Sequence, residues 1–301
     1  MSDQAKDQAN KLRDMVRKRE TAAIAAKERP SSAARVVTIT SGKGGVGKSN
    51  LALNLGIQLR KLDMRVAVID ADLGLANIEV LAGVIPKYNF GDVVNSKLSL
   101  EQALTEGPMG IKFLSGGAGL TTLARLTDKQ VMAVIGSLRM LDDMSDIILI
   151  DTGAGISKNV LSFISASSET LLVLTPEPTS MADAYAVVKS MKRETEPMPA
   201  LKIIVNQVSC EAEGEEIFDK LNKVAEQFLG LQLQSLGSVP QDPCLGRAVK
   251  RQEPLCLSYP NSEAAKSIRK LALKLLNMDP EKSGMAAFLR RLSSGLGIRP
   301  V

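Results

Sequence analysis

Histidine is absent from this 301-residue sequence, and its three cysteines, Cys210, Cys244 and Cys256, stand far apart without a C-x-x-C pair. The first absence excludes histidine acid–base chemistry and histidine-ligated zinc. The second excludes most iron–sulfur sites and argues against disulfides in a chain of this length. We therefore expect ordinary thiols and no redox function.

Long apolar runs are also missing. No stretch approaches the roughly 20 uninterrupted apolar residues that a membrane-spanning helix requires. The charged beginning of the chain lacks the apolar block of a secretory signal. These two absences predict a cytoplasmic protein.

The formal net charge of +5 lies mainly at the two ends of the chain, residues 1–35 and 279–301, around a nearly neutral body. This distribution argues against a nucleic-acid groove across the fold. It favours basic tails that meet an acidic partner or an anionic membrane surface. The alternative, that the tails only improve solubility, remains open from the sequence.

Composition divides the chain into three parts. Residues 1–35 contain a charged stretch without Gly or Pro over 3–28, typical of a solvated helix, and then a linker. Residues 36–278 form the body, and residues 279–301 form a terminal helix after a proline. No repeat and no second composition interrupt the body, which predicts a single domain there.

Apolar strands alternate with potential helices throughout the body. The predicted strands span 36–40, 65–70, 111–114, 146–151, 170–174, 201–205 and 233–239. The predicted helices span the segment before Lys61, 128–143, 157–166, 180–193, 215–229, 243–251 and 261–276. Near-continuous apolar strands are typical of a parallel sheet covered on both faces. The predicted fold class is α/β, a doubly wound and mostly parallel sheet of about seven or eight strands.

A glycine-rich loop, SGKGGVGKS, lies between the first predicted strand and its helix. It fits the phosphate-loop pattern G-x-x-x-x-G-K-[ST] in the context that this pattern requires. Its glycines let backbone N–H groups face phosphate oxygens at a helix N-terminus. Lys48 would contact the β- and γ-phosphates, and the Ser49 hydroxyl would ligate Mg²⁺. The predicted nucleotide-binding residues here are Gly42, Lys43, Gly44, Gly45, Val46, Gly47, Lys48, Ser49 and Asn50.

A second lysine, Lys43, stands early in this loop, where phosphate binding within one chain does not require it. From the residues alone, Lys43 could be a solvated charge beside a basic site. The spacing K-G-G-V-G-K-S resembles the deviant phosphate loop of the MinD/ParA family of ATPases. The resemblance implies that Lys43 crosses a dimer interface to the partner's ATP, which makes slow, Mg-dependent hydrolysis a property of an ATP-bound homodimer.

Three carboxylates follow predicted strands, where parallel sheets form ligand sites. Asp70 and Asp72 end the second strand in IDADLGLAN, and Asp151 ends the fourth in LIDTGAG. An isolated aspartate at such a place is as often a helix cap. The resemblance implies that Asp72 positions the attacking water in switch I and that Asp151 lies near Mg²⁺ in switch II. Asp72 and Asp151 would join Ser49 at the metal, while Asp70 would act from its periphery.

Base recognition is indicated less directly. Asn206 follows one predicted strand, and Pro240, Gln241 and Asp242 follow the last. From the residues alone, Asn is a common turn residue and Pro-x-Asp a common helix start. The family resemblance implies that both segments hold adenine, and it favours ATP and ADP over guanine nucleotides.

The C-terminal segment from Ser283 to Gly297 is predicted to form a short amphipathic helix. Its apolar side chains fall on one stripe, and they are Met285, Phe288, Leu289, Leu292 and Leu296. One alternative is a helix that packs on the body. The other, which the resemblance supports, is a membrane-targeting helix that binds anionic lipid weakly as one copy and strongly as two copies on a dimer. The protein would then be cytoplasmic with ADP or without nucleotide, and peripheral on the membrane with ATP.

The N-terminal segment carries a second resemblance. Asp7, Gln8, Ala9, Leu12 and Arg13 lie in a D-Q-A-x-x-L-R element similar to the one that opens the FlhG family of flagellar regulators. That resemblance implies stimulation of the GTPase FlhF, and contact with flagellar C-ring or switch proteins or with a flagellar transcription regulator. Two alternatives remain: a MinD- or ParA-type positioning ATPase for the division site or DNA, and a nucleotide-gated adaptor that does not hydrolyse ATP. An iron–sulfur carrier of the same fold would need paired cysteines.

Overall fold

A computed structural model of the chain describes residues 33–72, 78–95, 98–116, 137–195, 198–278 and 284–295. The N-terminal element around Asp7–Arg13, most of the predicted helix 128–143, and Leu296 lie outside the described residues. None of the helices in the described ranges is long and apolar enough to cross a membrane.

Eight strands form one sheet. They are β1 (Arg35–Ser41), β2 (Val66–Ala71), β3 (Thr105–Glu106), β4 (Lys112–Ser115), β5 (Ile147–Ala154), β6 (Glu169–Leu174), β7 (Ala200–Val208) and β8 (Gln234–Pro240). The spatial order is β3-β4-β2-β5-β1-β6-β7-β8, and only the short edge strand β3 is antiparallel to its neighbour. The predicted fold class is therefore confirmed.

Helices connect the strands. They are α1 (Lys48–Lys61), α2 (Ile78–Ala82), α3 (Phe90–Val94), α4 (Leu100–Ala103), α5 (Met140–Met144), α6 (Lys158–Ala166), α7 (Pro178–Glu194), α8 (Glu211–Leu229), α9 (Pro243–Lys250), α10 (Leu255–Ser258), α11 (Glu263–Asn277) and α12 (Gly284–Gly295), with a 3₁₀ turn at Pro108–Gly110. The long helices match the sequence prediction within a few residues. The short elements between β2 and β4 were not predicted.

Strand β1 is buried along its whole length because helices cover both faces of the sheet. Val37 and Ile39 face the core formed with α1 and α11, whereas Val36 faces the core formed with α6 and α12. Since β1 lies between β5 and β6, the loop after it opens at the centre of the sheet's carboxyl edge. Ligands of open α/β sheets bind at this place.

The terminal helix α12 packs on the body, against α5, α6 and β1. Four of its five predicted membrane side chains, Met285, Phe288, Leu289 and Leu292, are buried there. The Phe288 ring lies 6.2 Å from the ring of Phe163 on α6. In the structure, α12 thus packs on the body, which is the first of the two alternatives given by the sequence.

Candidate functional site

The glycine-rich loop connects β1 to α1. Gly45 and Gly47 have left-handed φ angles of +81° and +86°, which favour glycine. A Cβ on Gly42 would lie 2.4 Å from the backbone of Asp183, so this position admits only glycine. By contrast, Cβ atoms on Gly44 and Gly45 would meet nothing within 4 Å. The loop therefore leaves open space beside its backbone, as a phosphate cradle requires.

Lys48 begins α1 and points to the end of β5. Its Nζ lies 2.8 Å from Asp151 Oδ1, and the two side chains are 8% and 0% exposed. Burial raises the pKa of Asp151, and the Lys48 ammonium opposes that rise. The other carboxylate oxygen of Asp151 is buried and has no hydrogen-bond partner among the described residues. A metal-bound water or hydroxyl would satisfy this buried oxygen, and the Ser49 hydroxyl already lies within hydrogen-bonding reach of the Asp151 carboxylate.

The two aspartates predicted for switch I, Asp70 and Asp72, lie beside Asp151. Asp70 is the direct register partner of Asp151 across β2 and β5, and its Oδ1 accepts the backbone N–H of Asp72 at 3.0 Å. Burial raises the pKa of Asp70 to about 7, with a further increase from the nearby Glu79 and Asp151 carboxylates. Asp72 approaches the end of β5, since a Cβ built on Gly153 would lie 3.6 Å from Asp72 Oδ1. The structure therefore brings together all three predicted carboxylates.

Sequence reasoning missed a fourth carboxylate, Glu79, on α2. It is 3% exposed, and neither oxygen has a hydrogen-bond partner in the part of the chain that the structure describes. Its place after IDADLGLAN, in an apolar context, was the only available signal, and that signal does not reveal burial.

Lys43, the early lysine of the loop, contacts the beginning of α7 and not the end of β5. Its Nζ lies 2.5 Å from Glu177 Oε2 and 3.1 Å from Thr179 Oγ1, both at the beginning of α7. Lys43 and Glu177 are 39% and 57% exposed. The Lys43 charge is therefore held at the surface by exposed groups, and not by the buried carboxylates.

A cavity of about 830 Å³ adjoins the phosphate loop and is lined by the loop, the end of β7 and the segment after β8. All four predicted adenine residues, Asn206, Pro240, Gln241 and Asp242, line it. Its size is suitable for a nucleoside.

Two of these residues also have structural roles. Asn206 Nδ2 donates to the Val46 carbonyl at 2.7 Å, which ties β7 to the phosphate loop. Asp242 caps α9 through the Cys244 N–H at 2.8 Å and also accepts the N–H of Ala264. The helix-start alternative therefore describes a real contact of Asp242, whereas Asn206 lies within β7 and not in a turn. Both contacts fix the cavity wall.

The donor set suits Mg²⁺ together with a phosphate. No group of three His, Cys, Asp or Glu side chains in the described ranges is arranged to hold a metal by itself. Mg²⁺ commonly keeps several waters and binds through one or two protein oxygens plus substrate phosphates. Ser49, at the start of α1, and Asp151 would supply such oxygens, so the residues present fit the group.

These features, a strand–loop–helix phosphate cradle at the centre of a doubly wound sheet, define a P-loop NTPase. A family model described as "ParA: NUBPL iron-transfer P-loop NTPase" matches residues 32–276. The antiactivator FleN of Pseudomonas aeruginosa is 37% identical over 241 residues, which are 80% of this chain and 86% of that protein. The flagellum site-determining protein YlxH of Helicobacter pylori is 32% identical over 87% of this chain and 91% of its own length.

Solved structures agree with these relatives. MinD in the MinC:MinD complex of Aquifex aeolicus aligns with a TM-score of 0.67 and 27% identity, over 82% of this chain and 97% of that one. MinD of Pyrococcus horikoshii, in complex with Mg-ADP, aligns with a TM-score of 0.66 and 25% identity, over 81% and 96% of the two chains. The chain belongs to the MinD/ParA family of P-loop ATPases and, within it, to the FlhG group that includes FleN and YlxH.

Proposed function

We propose that this protein is an ATP-dependent dimerisation switch that regulates flagellar number or placement. The FleN and YlxH relatives, named as an antiactivator and a flagellum site-determining protein, support the flagellar role. Relatives named as septum site-determining MinD proteins support the positioning alternative, at 33% identity for the Arabidopsis thaliana chloroplast homologue. The deletion of the N-terminal segment described below distinguishes the two.

In this proposal each side chain of the site has one task. Lys48 neutralises charge on the β- and γ-phosphates, and its release from Asp151 on nucleotide binding frees that carboxylate for the Mg²⁺ shell. Asp72 orients the water that attacks the γ-phosphorus. Bound Mg²⁺ would neutralise the charge that develops on the phosphates. Placement and charge neutralisation are the main demands of phosphoryl transfer.

The observation that carries the dimer proposal is the position of Lys43. Its ammonium is exposed at the rim of the phosphate loop and bound only by Glu177 and Thr179 among the described residues. An exposed ion pair of this kind contributes little to stability. Lys43 could therefore leave Glu177 at small cost and contact the triphosphate bound to a second subunit.

Size-exclusion chromatography with light scattering tests this proposal, in ADP and in a non-hydrolysable ATP analogue. Wild type and Asp72→Ala should dimerise with the analogue only, since the water-positioning carboxylate is not needed for closure. Lys43→Ala should stay monomeric, whereas the exposed-lysine control Lys189→Ala should behave as wild type. A monomeric Asp72→Ala at saturating analogue, or a dimeric Lys43→Ala, would show that the assigned role is wrong.

Membrane association requires α12 to leave the body, because its apolar stripe is buried against α6 and β1 in the structure. Helix α6 directly follows the switch II segment at the end of β5, so a nucleotide-dependent shift of that segment would reach Phe163 and its contact with Phe288. We infer that the nucleotide-free protein is soluble with α12 docked, and that the ATP dimer exposes two copies of α12 to anionic lipid.

The N-terminal segment is the proposed activator of FlhF, through Asp7–Arg13. Deletion of residues 1–30 should leave ATP affinity unchanged, because the site lies wholly within the body, and should abolish stimulation of FlhF GTP hydrolysis. An unchanged FlhF rate would favour a MinD-type positioning role instead.

A further inference from the structure

Both ends of the folded body meet at one carboxylate, Asp142 on α5. Its Oδ1 accepts the backbone N–H of Ala34 at 3.2 Å and that of Met285 at 2.7 Å, and its Oδ2 lies 3.5 Å from the N–H of Ala286. The N–H of Gly284 donates to the Ala34 carbonyl at 3.2 Å. These bonds join the start of β1 to the start of α12.

Glycine is required at position 284 of this junction. Gly284 has a φ of +68°, and a Cβ there would lie 2.9 Å from the Ala33 Cβ and 3.1 Å from Asp142 Oδ2. Any side chain would strain the backbone and displace one of these neighbours. The fit of α12 therefore depends on the position of the chain just before β1.

The first turn of α12 depends on Asp142 for its cap. No acidic residue lies in that turn, and the leading N–H groups of a helix need an acceptor from elsewhere. A carboxylate at this end also interacts favourably with the helix dipole. When α12 leaves the body, its first turn loses this acceptor, and Ala34 loses its bond to Gly284.

We propose that Asp142 is a latch that couples the two ends of the protein. It holds α12 on the body and at the same time fixes residues 33 and 34, where the N-terminal segment joins the fold. Undocking of α12 therefore loosens residues 33 and 34 in the same step. The consequence for function rests on the proposed membrane role of α12: the protein would become competent for lipid and for its N-terminal partner together.

Amide hydrogen exchange of the full-length, nucleotide-free protein tests the latch. Asp142→Ala and Gly284→Ala alter the junction from opposite sides, and the control Asp143→Ala removes the exposed neighbouring carboxylate on the same helix. Both junction variants should increase exchange of peptides covering 284–292 and 33–36 by about five- to tenfold, the factor expected for a lost helix cap. The control Asp143→Ala should leave the exchange of both peptides unchanged. Unchanged ATP affinity in calorimetry verifies that each variant is folded.

The outcomes separate the latch from the membrane proposal. If exchange becomes faster in α12 but not in residues 33–36, Asp142 is only a helix cap and the latch proposal is wrong. If exchange changes at neither end, the latch proposal is also wrong. Flotation on phosphatidylcholine vesicles containing phosphatidylglycerol forms the second readout: with the ATP analogue, Asp142→Ala should float at a lower lipid concentration than wild type does. If both ends loosen but neither this variant nor the ATP-analogue wild type floats, the latch stands and the membrane role of α12 is wrong.

Discussion

At the scale of single residues, the two lysines of the phosphate loop differ in burial and therefore in task. Lys48 is 8% exposed and paired with Asp151, whereas Lys43 is 39% exposed and paired with Glu177. Lys48→Gln should lower ATP affinity at least about 100-fold, because its charge-assisted bonds to the β- and γ-phosphates are lost. Lys43→Gln should bind ATP as the wild-type monomer does. Isothermal calorimetry measures both, and normal affinity of Lys48→Gln would refute the phosphate-loop assignment.

Asp70 should make the stability of the nucleotide-free, metal-free protein depend on pH. Burial raises its pKa from 3.8 to about 7, so the folded state binds this proton more tightly than the unfolded state. The free energy of unfolding should therefore fall as the pH rises between these two pKa values, and the Asp70 contribution should be level above pH 7. Asp70→Asn removes that fall.

The measurement is urea unfolding of both proteins from pH 4 to pH 8. The stability of Asp70→Asn relative to wild type should increase across this range by up to about 4 kcal/mol. Asp63→Asn, at an exposed position with positive φ that Asn tolerates, is the control. A constant difference between Asp70→Asn and wild type would show that Asp70 is ionised in both states.

At the scale of elements, a buried ion cluster ties together three strands. Glu169 of β6 binds the Arg35 guanidinium of β1 through both carboxylate oxygens and also the Lys202 ammonium of β7. Burial, and then repulsion from Arg35, lower the pKa of Lys202 to about 8. The cluster thus holds one cation more than its carboxylate can neutralise.

Removal of each partner should therefore have unequal effects. Glu169→Gln should destabilise the fold by about 3–5 kcal/mol, because two buried cations lose their counter-charge. Lys202→Met should stay within about 1 kcal/mol of wild type, since Arg35 still pairs with Glu169 and an apolar side chain fills the space. Urea unfolding at pH 7 compares the two, and equal losses would contradict this division of charge.

The sequence predicted the strands and long helices, because the apolar residues of these elements show that they are buried. The runs Val36–Thr40 and Ile147–Asp151 consist mostly of apolar and β-branched residues because both faces of the sheet are covered. The short helices α2, α3 and α4 were missed because four or five residues contain too little periodicity to identify them. The apolar stripe of α12 would suit either a groove on the body or a lipid surface, because both bind the same kind of side chain. The sequence therefore could not distinguish these two alternatives.

In the candidate site, the sequence predicted the features that depend on short, local motifs. The loop geometry around Gly47 and Lys48 follows from its glycines, and the strand-end rule brought Asp70 and Asp151 together. The sequence could not predict contacts between segments that are far apart in the chain. Lys43 and Glu177 are separated by 134 positions, and neither has a pattern that indicates the other.

The docking of α12 leads to a further expectation at this scale. Truncation after Met278 should expose the groove formed by side chains such as Phe90, Leu138 and Phe163. Each buried α12 side chain contributes roughly 1.5–3 kcal/mol gross, much of it offset by the entropy of ordering the helix. The truncated protein should bind 8-anilinonaphthalene-1-sulfonate strongly and unfold at lower urea. Deletion of residues 297–301, beyond α12, is the control, and equal dye binding by both truncations would argue against a covered groove.

At the scale of the whole molecule, membrane affinity should depend on how many copies of α12 act together. One copy on a monomer binds weakly, whereas two copies on one dimer share a high effective concentration at the surface. Wild type with an ATP analogue should therefore bind phosphatidylglycerol-containing vesicles at least about 100-fold more tightly than Lys43→Ala in the same nucleotide.

The two proteins carry the same α12 and the same nucleotide, so their difference isolates dimerisation from undocking. Vesicle co-sedimentation over a range of lipid concentrations measures both affinities, and both should weaken with salt because Arg290 is exposed beside the apolar stripe. If Lys43→Ala binds as tightly as wild type, nucleotide alone releases α12, and the second subunit contributes nothing to membrane attachment. If instead neither protein binds, the apolar stripe of α12 serves only to complete the core.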